Sequence, residues 1–322
     1  MKINKFKFLS SVIIILILTI AIIYNIKNKT GSYNTGNPAK TPEVLAATEN
    51  KNAPVEDSHK TNIKTEDNED YNIINPSGNT LETRINTPKG YKRITARKKS
   101  LAGFLRNYKM KKDGKPVLLY NGSQKGNQSA HIAVFKLPIE NEDLQQCADS
   151  VMRVYAEYFW HTGQKDRIKF HFVDGFLAEY SKWRKGARIQ VTASGTSWTN
   201  SATEDNSYKT FKKYLRMVFA YSSTLSMEAE SKKIKLGKLR TGDIFIKGGS
   251  PGHVVMVADV CKNQNGKKAF LLAQGYMPAQ EFHVLKNPAH KDDPWYYEEE
   301  TSYPLITPEY TFNKGSLKRL DY

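Results

Sequence analysis

Hydrophobic and polar residues recur with different periods along the last two thirds of the chain, and each period predicts an element. The segments "PVLLYNG" (116–122) and "SAHIAVFKL" (129–137) alternate or run apolar between polar turns, which is typical of paired strands. In "ENEDLQQCADSVMRVYAEYFWHTG", Asn141 is a good helix cap, an acidic turn follows, and Gly163 closes the segment. Apolar residues recur there at helical spacing, so we expect a helix of about twenty residues.

A second long helix is predicted for "TFKKYLRMVFAYSSTLSMEAE" (210–230). Further strands are expected at 168–172 and 188–193, and three more lie in the segment that ends with "KAFLLAQG". Clusters of strands beside two long helices indicate an α+β fold with a mostly antiparallel sheet.

The stretch "TGDIFIKGGSPGHVVMVADV" (241–260) places His253 at the mouth of an apolar strand, directly after a turn rich in Gly and Pro. Such a turn can present one side chain in a fixed direction. The next strand follows an Asn-Gly turn at 265–266, which favours a two-residue hairpin connection. An even connection would place Gln274 opposite an odd-numbered residue such as Val255, on the face that carries His253.

The N-terminal part differs from the rest. Three lysines precede a run of roughly 19 uncharged residues, about the length that crosses a bilayer. We therefore expect residues 1–27 to be a membrane anchor with the following domain facing outward in the cell envelope, and a cleaved signal peptide is the alternative. Residues 28–85 are polar and predicted to be a disordered tether, and 86–322 to be a single globular domain.

The net charge of +17 resides almost wholly in the predicted globular domain. It suits an anionic envelope polymer such as peptidoglycan, although a generally Lys-rich composition would give the same number. Nucleic acid is not expected as a partner, because no helix-turn-helix, RNA-stacking or zinc-finger pattern is present. The two cysteines, Cys147 and Cys261, could form a disulfide in an oxidising compartment.

Several long motifs point to one family. They are "GFLRNYKMKKDGKPVLLYNG", "DLQQCADSVMRVYAEY", "GDIFIKGGSPGHVVMVADV", "FLLAQGYMPAQEFHVLKNP" and "TPEYTFNKGSLKRL". Together they resemble the family called domain of unknown function 4846, over about residues 103–319. That resemblance implies an envelope protein of a Bacteroidetes bacterium, and it assigns no chemistry.

A more distant resemblance is to papain-like amidases of the NlpC and CHAP types, in the order of a helix with Cys, a "GDIF…GHVVMV" strand pair and a strand ending in a polar residue. It implies that Cys147 is the nucleophile, His253 the base and Gln274 the group that orients the imidazole. Gln146, or Gln145, would donate to the oxyanion. A helix capped at Asn141 would place Cys147 in its second turn, away from the free amides of the first, and a buried core cysteine is the alternative reading.

Other polar residues are weaker candidates. Asp243 is expected to fix the turn that precedes its strand, with a pocket role as the alternative. Gln280 and His283 could line a pocket.

Arg184 and Arg188 follow the aromatic residue Trp183 and suit an anionic or sugar ligand, or else lie on a solvated strand edge. No metal-ligand spacing is present and no cofactor is expected. The leading hypothesis is a thiol amidase or peptidase that acts on cell-wall peptide, and the alternative is a non-catalytic envelope module that binds an anionic glycan, a peptide or a protein.

Overall fold

A computed structural model of the protein describes residues 71–322. Its helices are α1 (Leu81–Arg84), α2 (Leu101–Arg106), α3 (Cys147–His161), α4 (Tyr180–Arg184), α5 (Tyr208–Tyr221) and α6 (Thr224–Ala229). The first eight strands are β1 (Tyr91–Arg93), β2 (His131–Val134), β3 (Lys169–His171), β4 (Leu177–Glu179), β5 (Ala187–Thr192), β6 (Gly195–Asn200), β7 (Ser231–Lys233) and β8 (Ile244–Lys247). The other strands are β9 (His253–Asn263), β10 (Lys268–Gln274), β11 (His283–Leu285), β12 (Tyr296–Tyr297), β13 (Leu305–Ile306), β14 (Thr311–Phe312) and β15 (Leu317–Leu320).

One large sheet organises the fold. Its strand order is β2-β11-β10-β9-β8-β15-β7, every neighbouring pair is antiparallel, and β1 and β12 add to the far ends of β9 and β10. The short pairs β3-β4, β5-β6 and β13-β14 form separate hairpins. The predicted α+β class with a mostly antiparallel sheet and two long helices is confirmed, the long helices being α3 and α5.

The sheet is buried on both faces. The larger core cluster lies on one face and includes α3, α5 and alternate residues of β9 such as Val254 and Met256. A smaller cluster on the other face contains Val255, Val257 and Phe270. Burial on both sides explains why β9 reads as a continuous apolar run and gives no alternating pattern.

The predicted start of the first long helix is wrong. The helix begins at Cys147, with Gln146 as its cap, and residues 138–146 reach it as an irregular segment. The second predicted helix is two helices, because the chain is extended at Ser222 and Ser223 between α5 and α6. The helical spacing of apolar residues continues across the start of α3 and across the break between α5 and α6, because irregular residues that pack on a core are also apolar.

The packed fold extends upstream of the predicted tether boundary at residue 85. Leu81 and Ile85 are completely buried, and the buried Arg84 donates to the main-chain oxygen of Gly78. The predicted anchor and most of the tether lie outside the described residues. Within 71–322, no helix is both long enough and apolar enough to cross a membrane.

A β-bulge sets the register between β9 and β10. Pairing runs from Lys262 with Lys268 to Asp259 with Leu271, and then Val257 pairs with Leu272, so that Ala258 has no partner. Five residues, 263–267, connect the paired Lys262 and Lys268. An odd number of connecting residues would by itself place Gln274 on the face of the sheet opposite His253. The predicted even connection is therefore wrong, but the extra residue at 258 shifts the register by one and returns Gln274 to that face.

Candidate active site

Cys147 is the first residue of α3. The cap residue Gln146 has an extended backbone, and its amide donates to Oδ2 of Asp149 over 3.1 Å, which closes the helix start. The sulfur of Cys147 lies beside the main-chain amides of Ala148 and Val254, which favour its thiolate form. Val254 directly follows His253, so the helix start and the start of β9 meet at this sulfur.

The thiol is nonetheless held in its neutral form. Burial and, after it, the negative charge of Asp149 raise the pKa of Cys147 to about 11, and the surrounding amides offset only part of that increase. Cys147 is 7% exposed and lies in the wall of a cleft of about 310 Å³. The other wall residues include Gln146, Ser223, Thr224, Ser250 and Met277.

Two glycines permit this close approach. A side chain at Gly252 would place Cβ 2.2 Å from the oxygen of Gly249, so only glycine fits the tight turn before His253. At Gly275, Cβ would lie 2.1 Å from Oγ of Ser150 in the first turn of α3. Because Gly275 follows Gln274, the absence of its side chain lets the end of β10 pack against the helix start.

His253 and Gln274 form a direct hydrogen bond in the buried interior. The distance from His253 Nε2 to Gln274 Oε1 is 2.7 Å, and because an amide oxygen only accepts, Nε2 carries the proton. Nδ1 is then left unprotonated and able to accept a proton. Burial lowers the pKa of His253 to about 4, so the imidazole is neutral at neutral pH.

The amide of Gln274 is itself fixed. Its Nε2 donates to Oε2 of Glu309 over 2.7 Å and lies 3.5 Å from Nε2 of His283. Glu309 forms a buried ion pair with Lys125, and Nδ1 of His283 donates to the main-chain oxygen of Glu281. These partners leave one orientation for the Gln274 amide, with its oxygen toward His253.

Aromatic rings enclose the imidazole. The ring of His253 is 4.7 Å from Tyr276, 5.0 Å from Tyr310 and 6.0 Å from Phe312, between centroids. Burial raises the pKa of both tyrosines; the negative charges of Glu309 and then of a Cys147 thiolate raise that of Tyr276 further, and the charge of a Cys147 thiolate raises that of Tyr310. The two tyrosines that contact the imidazole therefore also lie within electrostatic range of the thiol.

The glutamines proposed for the oxyanion lie in different surroundings. Gln146 lines the cleft, and its Nε2 donates to Oδ1 of Asp143 over 3.1 Å. Gln145 is buried and engaged, since its Nε2 donates to the oxygen of Pro138 and its Oε1 accepts from Arg153. Of the two, only Gln146 can reach a ligand in the cleft.

The remaining candidates lie elsewhere. Asp243 directly precedes β8, at the end of the β8-β9 pair opposite His253, and forms an ion pair with Arg319. Gln280 is buried outside the Cys147 cleft, and its Nε2 has no hydrogen-bond partner among the described residues. His283 lies behind Gln274, so the structure brings it to the site as a support for that amide.

The arginines proposed to bind an anion are engaged near α4. Arg184 forms an ion pair with Asp166, and the Arg188 guanidinium lies 4.5 Å from the Trp183 ring centroid. Neither residue lines the cleft of Cys147. Cys261 is free and buried like Cys147, and across residues 71–322 no group of three or more His, Cys, Asp and Glu side chains could hold a metal ion.

A comparison with protein families matches residues 81–319, which is most of the chain. The matching family is described as a domain of unknown function (4846). The chain belongs to this family. No curated protein and no solved structure matches the chain.

In this domain of unknown function 4846, three site residues escaped the sequence analysis. Lys125 and Glu309 come from irregular segments far apart in the chain, and nothing in either segment signals the contact with Gln274. Asp149 had a recognisable signal, because an acidic residue three positions after a cap is typical of a helix start. The signal was missed because the cap was placed at Asn141.

Proposed function

We propose that this domain is a thiol amidase or peptidase with a papain-like layout, in which Cys147 is the nucleophile, His253 the base and Gln274 the orienting group. The observation that carries the proposal is the position of Cys147 as the first residue of α3, beside the amide that follows His253. In the related chemistry, a helix start is where a thiolate finds free amides and a favourable dipole.

Each residue has a distinct chemical role. Gln274 accepts from Nε2–H of His253, which leaves Nδ1 to take the thiol proton as the sulfur of Cys147 attacks an amide carbonyl. The C–N bond breaks, the amine leaves with the proton from the imidazolium, and a thioester remains. Water then attacks the thioester with His253 again as base, which releases the acid and restores the thiol.

The resting pair is neutral, and burial explains why. Desolvation disfavours an isolated thiolate and an isolated imidazolium, which accounts for the opposite pKa shifts of Cys147 and His253. A proton transferred between them creates both charges together, so that each one stabilises the other. The main-chain amides of Ala148, Val254 and Cys147, with the Gln146 side chain, are the donors we assign to the developing negative charge.

The cleft supports a peptide-like substrate. Its volume of about 310 Å³ is within the range of small-ligand sites, and hydroxyl groups of Ser223, Thr224 and Ser250 supply neutral hydrogen-bond partners. Together with the hydrophobic N-terminal run, this favours the peptide portion of peptidoglycan as the substrate and the outer side of the membrane as the place of action.

A second candidate function is a non-catalytic binding module, and the raised pKa and low exposure of Cys147 favour it. Incubation of the full chain with purified peptidoglycan separates the two. An amidase releases soluble fragments that mass spectrometry assigns to one hydrolysed amide, and Cys147→Ala and His253→Ala abolish that release.

Cys261→Ala is the matched control, since Cys261 is also buried and free but lies outside the site. Wild-type protein that retains peptidoglycan without releasing fragments, with equal retention by Cys147→Ala, would favour the binding module. Release by Cys147→Ala at the wild-type rate would refute the amidase.

A further inference from the structure

A second cleft, of about 430 Å³, lies at the opposite end of the sheet from His253. Its walls are the segment before α2, the middle of α3, the start of β8 and the end of β15. Val260 lines it and lies seven positions after His253 in β9, which corresponds to roughly 23 Å of strand. We propose that this cleft binds a phosphate group and that Arg97 and Arg240 hold it.

The charge of the wall is strongly unbalanced. Five arginine side chains line the cleft against one acidic side chain, that of Asp243. That carboxylate is already neutralised, because Nε and Nη2 of Arg319 donate to its two oxygens over 2.7 and 2.9 Å. Arg106 is likewise engaged with the buried Asp259. The positive charge of Arg97 and Arg240 is left to face the cleft.

The guanidinium groups of Arg97 and Arg240 are available for a ligand. Both side chains are exposed, and among residues 71–322 neither one has a side-chain hydrogen bond or an ion pair. Arg167 is already engaged, because its guanidinium donates to the oxygens of the Gln164 side chain and the Tyr322 main chain over 2.9 and 2.8 Å. Two unpaired guanidinium groups in one cleft repel each other, and an anion bound between them would relieve that repulsion.

The wall behind these cations is well ordered by its own contacts. The hydroxyl of Tyr155 donates to the oxygen of Gly242 over 2.9 Å, and that of Tyr158 to the oxygen of Lys99 over 3.0 Å. The Arg167 guanidinium lies 4.5 Å from the ring centroid of Phe159. These contacts connect α3 to the loops that carry Arg97 and Arg240, so the cleft is formed before any ligand arrives.

The arrangement selects phosphate over singly charged anions. A planar guanidinium donates two parallel hydrogen bonds to a phosphate, and a group with more than one negative charge gains more from several such cations than a monocarboxylate does. The phosphate could be free or esterified in a headgroup or polymer, and the chemistry of recognition is the same.

Isothermal titration calorimetry of the full chain with inorganic phosphate tests the site. We expect binding that weakens as sodium chloride is added, and a loss of at least about tenfold in affinity in Arg97→Ala/Arg240→Ala. The matched control is Lys209→Ala/Lys213→Ala, which removes the same charge from exposed positions of α5. Thermal melts of each variant establish that it remains folded.

A parallel titration with glycerol 3-phosphate identifies the source of the bound phosphate group. Tighter binding of this ester points to a headgroup or polymer, and tighter binding of inorganic phosphate points to the free ion. No measurable binding of either compound would overturn the proposal. It would also be overturned by equal weakening in the two double variants, or by tighter binding of succinate than of both phosphates. None of these results depends on whether Cys147 is catalytic.

Discussion

Nε2 of His253 donates to Oε1 of Gln274 over 2.7 Å, and the bulge at Ala258 makes this contact possible. Without the extra residue, β10 would present Gln274 to the opposite face of the sheet. Bulges of this kind often re-aim a side chain beside a functional site. The proposed orienting group therefore depends on one unpaired residue that itself touches no substrate.

Replacement of Gln274 by Ala should reduce amide hydrolysis mainly through kcat, by roughly a hundredfold or more, because the imidazole loses its fixed tautomer. Nitrogen NMR of His253 provides a readout independent of turnover, with protonated Nε2 in the wild type and mixed tautomers in the variant. Gln280→Ala is the control, a buried glutamine outside the site. A wild-type spectrum with the proton on Nδ1 would contradict the assignment.

Asp149→Asn should increase the alkylation rate of Cys147. Burial raises the pKa of Asp149 itself, and the negative charge of the ionised carboxylate raises the pKa of the thiol. An asparagine oxygen can still accept from the Gln146 amide, so the helix start is kept. The measurement is iodoacetamide labelling against pH in a Cys261→Ala background, with Asp166→Asn as the exposed control. In the parent protein, labelling should rise up to high pH without a plateau, as a pKa of about 11 requires. A plateau below pH 8.5 would reveal a preformed thiolate–imidazolium pair instead.

Acid should destabilise the fold through its buried histidines. The pKa of His253 is lowered from 6.5 to about 4 and that of His283 to about 3, so between these values and 6.5 the unfolded chain binds more protons. Stability is then fully present above pH 6.5 and is lost as the pH falls toward 4, by up to roughly 3 kcal/mol for His253 alone. Urea unfolding at several pH values should show a shallower pH dependence for His253→Gln. Equal slopes for the two proteins would disprove the buried neutral state.

A methyl group at Gly275 should separate the end of β10 from the helix start. In Gly275→Ala the new Cβ would meet Oγ of Ser150 at 2.1 Å, so we expect a lower melting temperature and a weaker His253 contact. Gly126→Ala is the matched control, because no atom lies within 4 Å of its added Cβ. The two variants would melt at the same temperature only if α3 can shift freely.

The carboxylate of Asp259 should be essential for the stability of the bulge. It is completely buried and accepts from Nε of Arg93 at 2.7 Å and from Nε of Arg106 at 2.8 Å. Asp259→Ala leaves two guanidinium groups without their partner, which should cost about 3 to 5 kcal/mol of unfolding free energy. Asp321→Ala removes an exposed partner of Lys232 and should cost less than about 1 kcal/mol. Chemical denaturation compares them directly.

The fold class could be predicted from the sequence, because the spacing of apolar residues and the residues that form turns are local signals. The sequence identified the strand that begins at His253 and placed Gln274 at the end of the next one. It failed at the start of α3, since Leu144 and Cys147 both pack on the core and the apolar spacing continues through the cap.

The supports of the site were beyond the reach of sequence. Lys125 and Glu309 are 184 positions apart, and their ion pair exists only because the sheet brings two irregular segments together. The face of Gln274 was predicted for the wrong reason, because a bulge has no signature in an apolar run such as "HVVMVADV". Long-range polar contacts and register shifts are properties of the assembled sheet.

The unpaired Ala258 also constrains how this gene can change. A substitution in the hairpin from His253 to Gln274 alters the packing at one position. Loss or gain of one codon between the bulge and the turn would instead move every later side chain of the hairpin to the other face of the sheet. Such a protein could still fold around an exchanged set of apolar residues while His253 faced a different neighbour. In descendants of this chain, the length of the hairpin should therefore be inherited more faithfully than its composition.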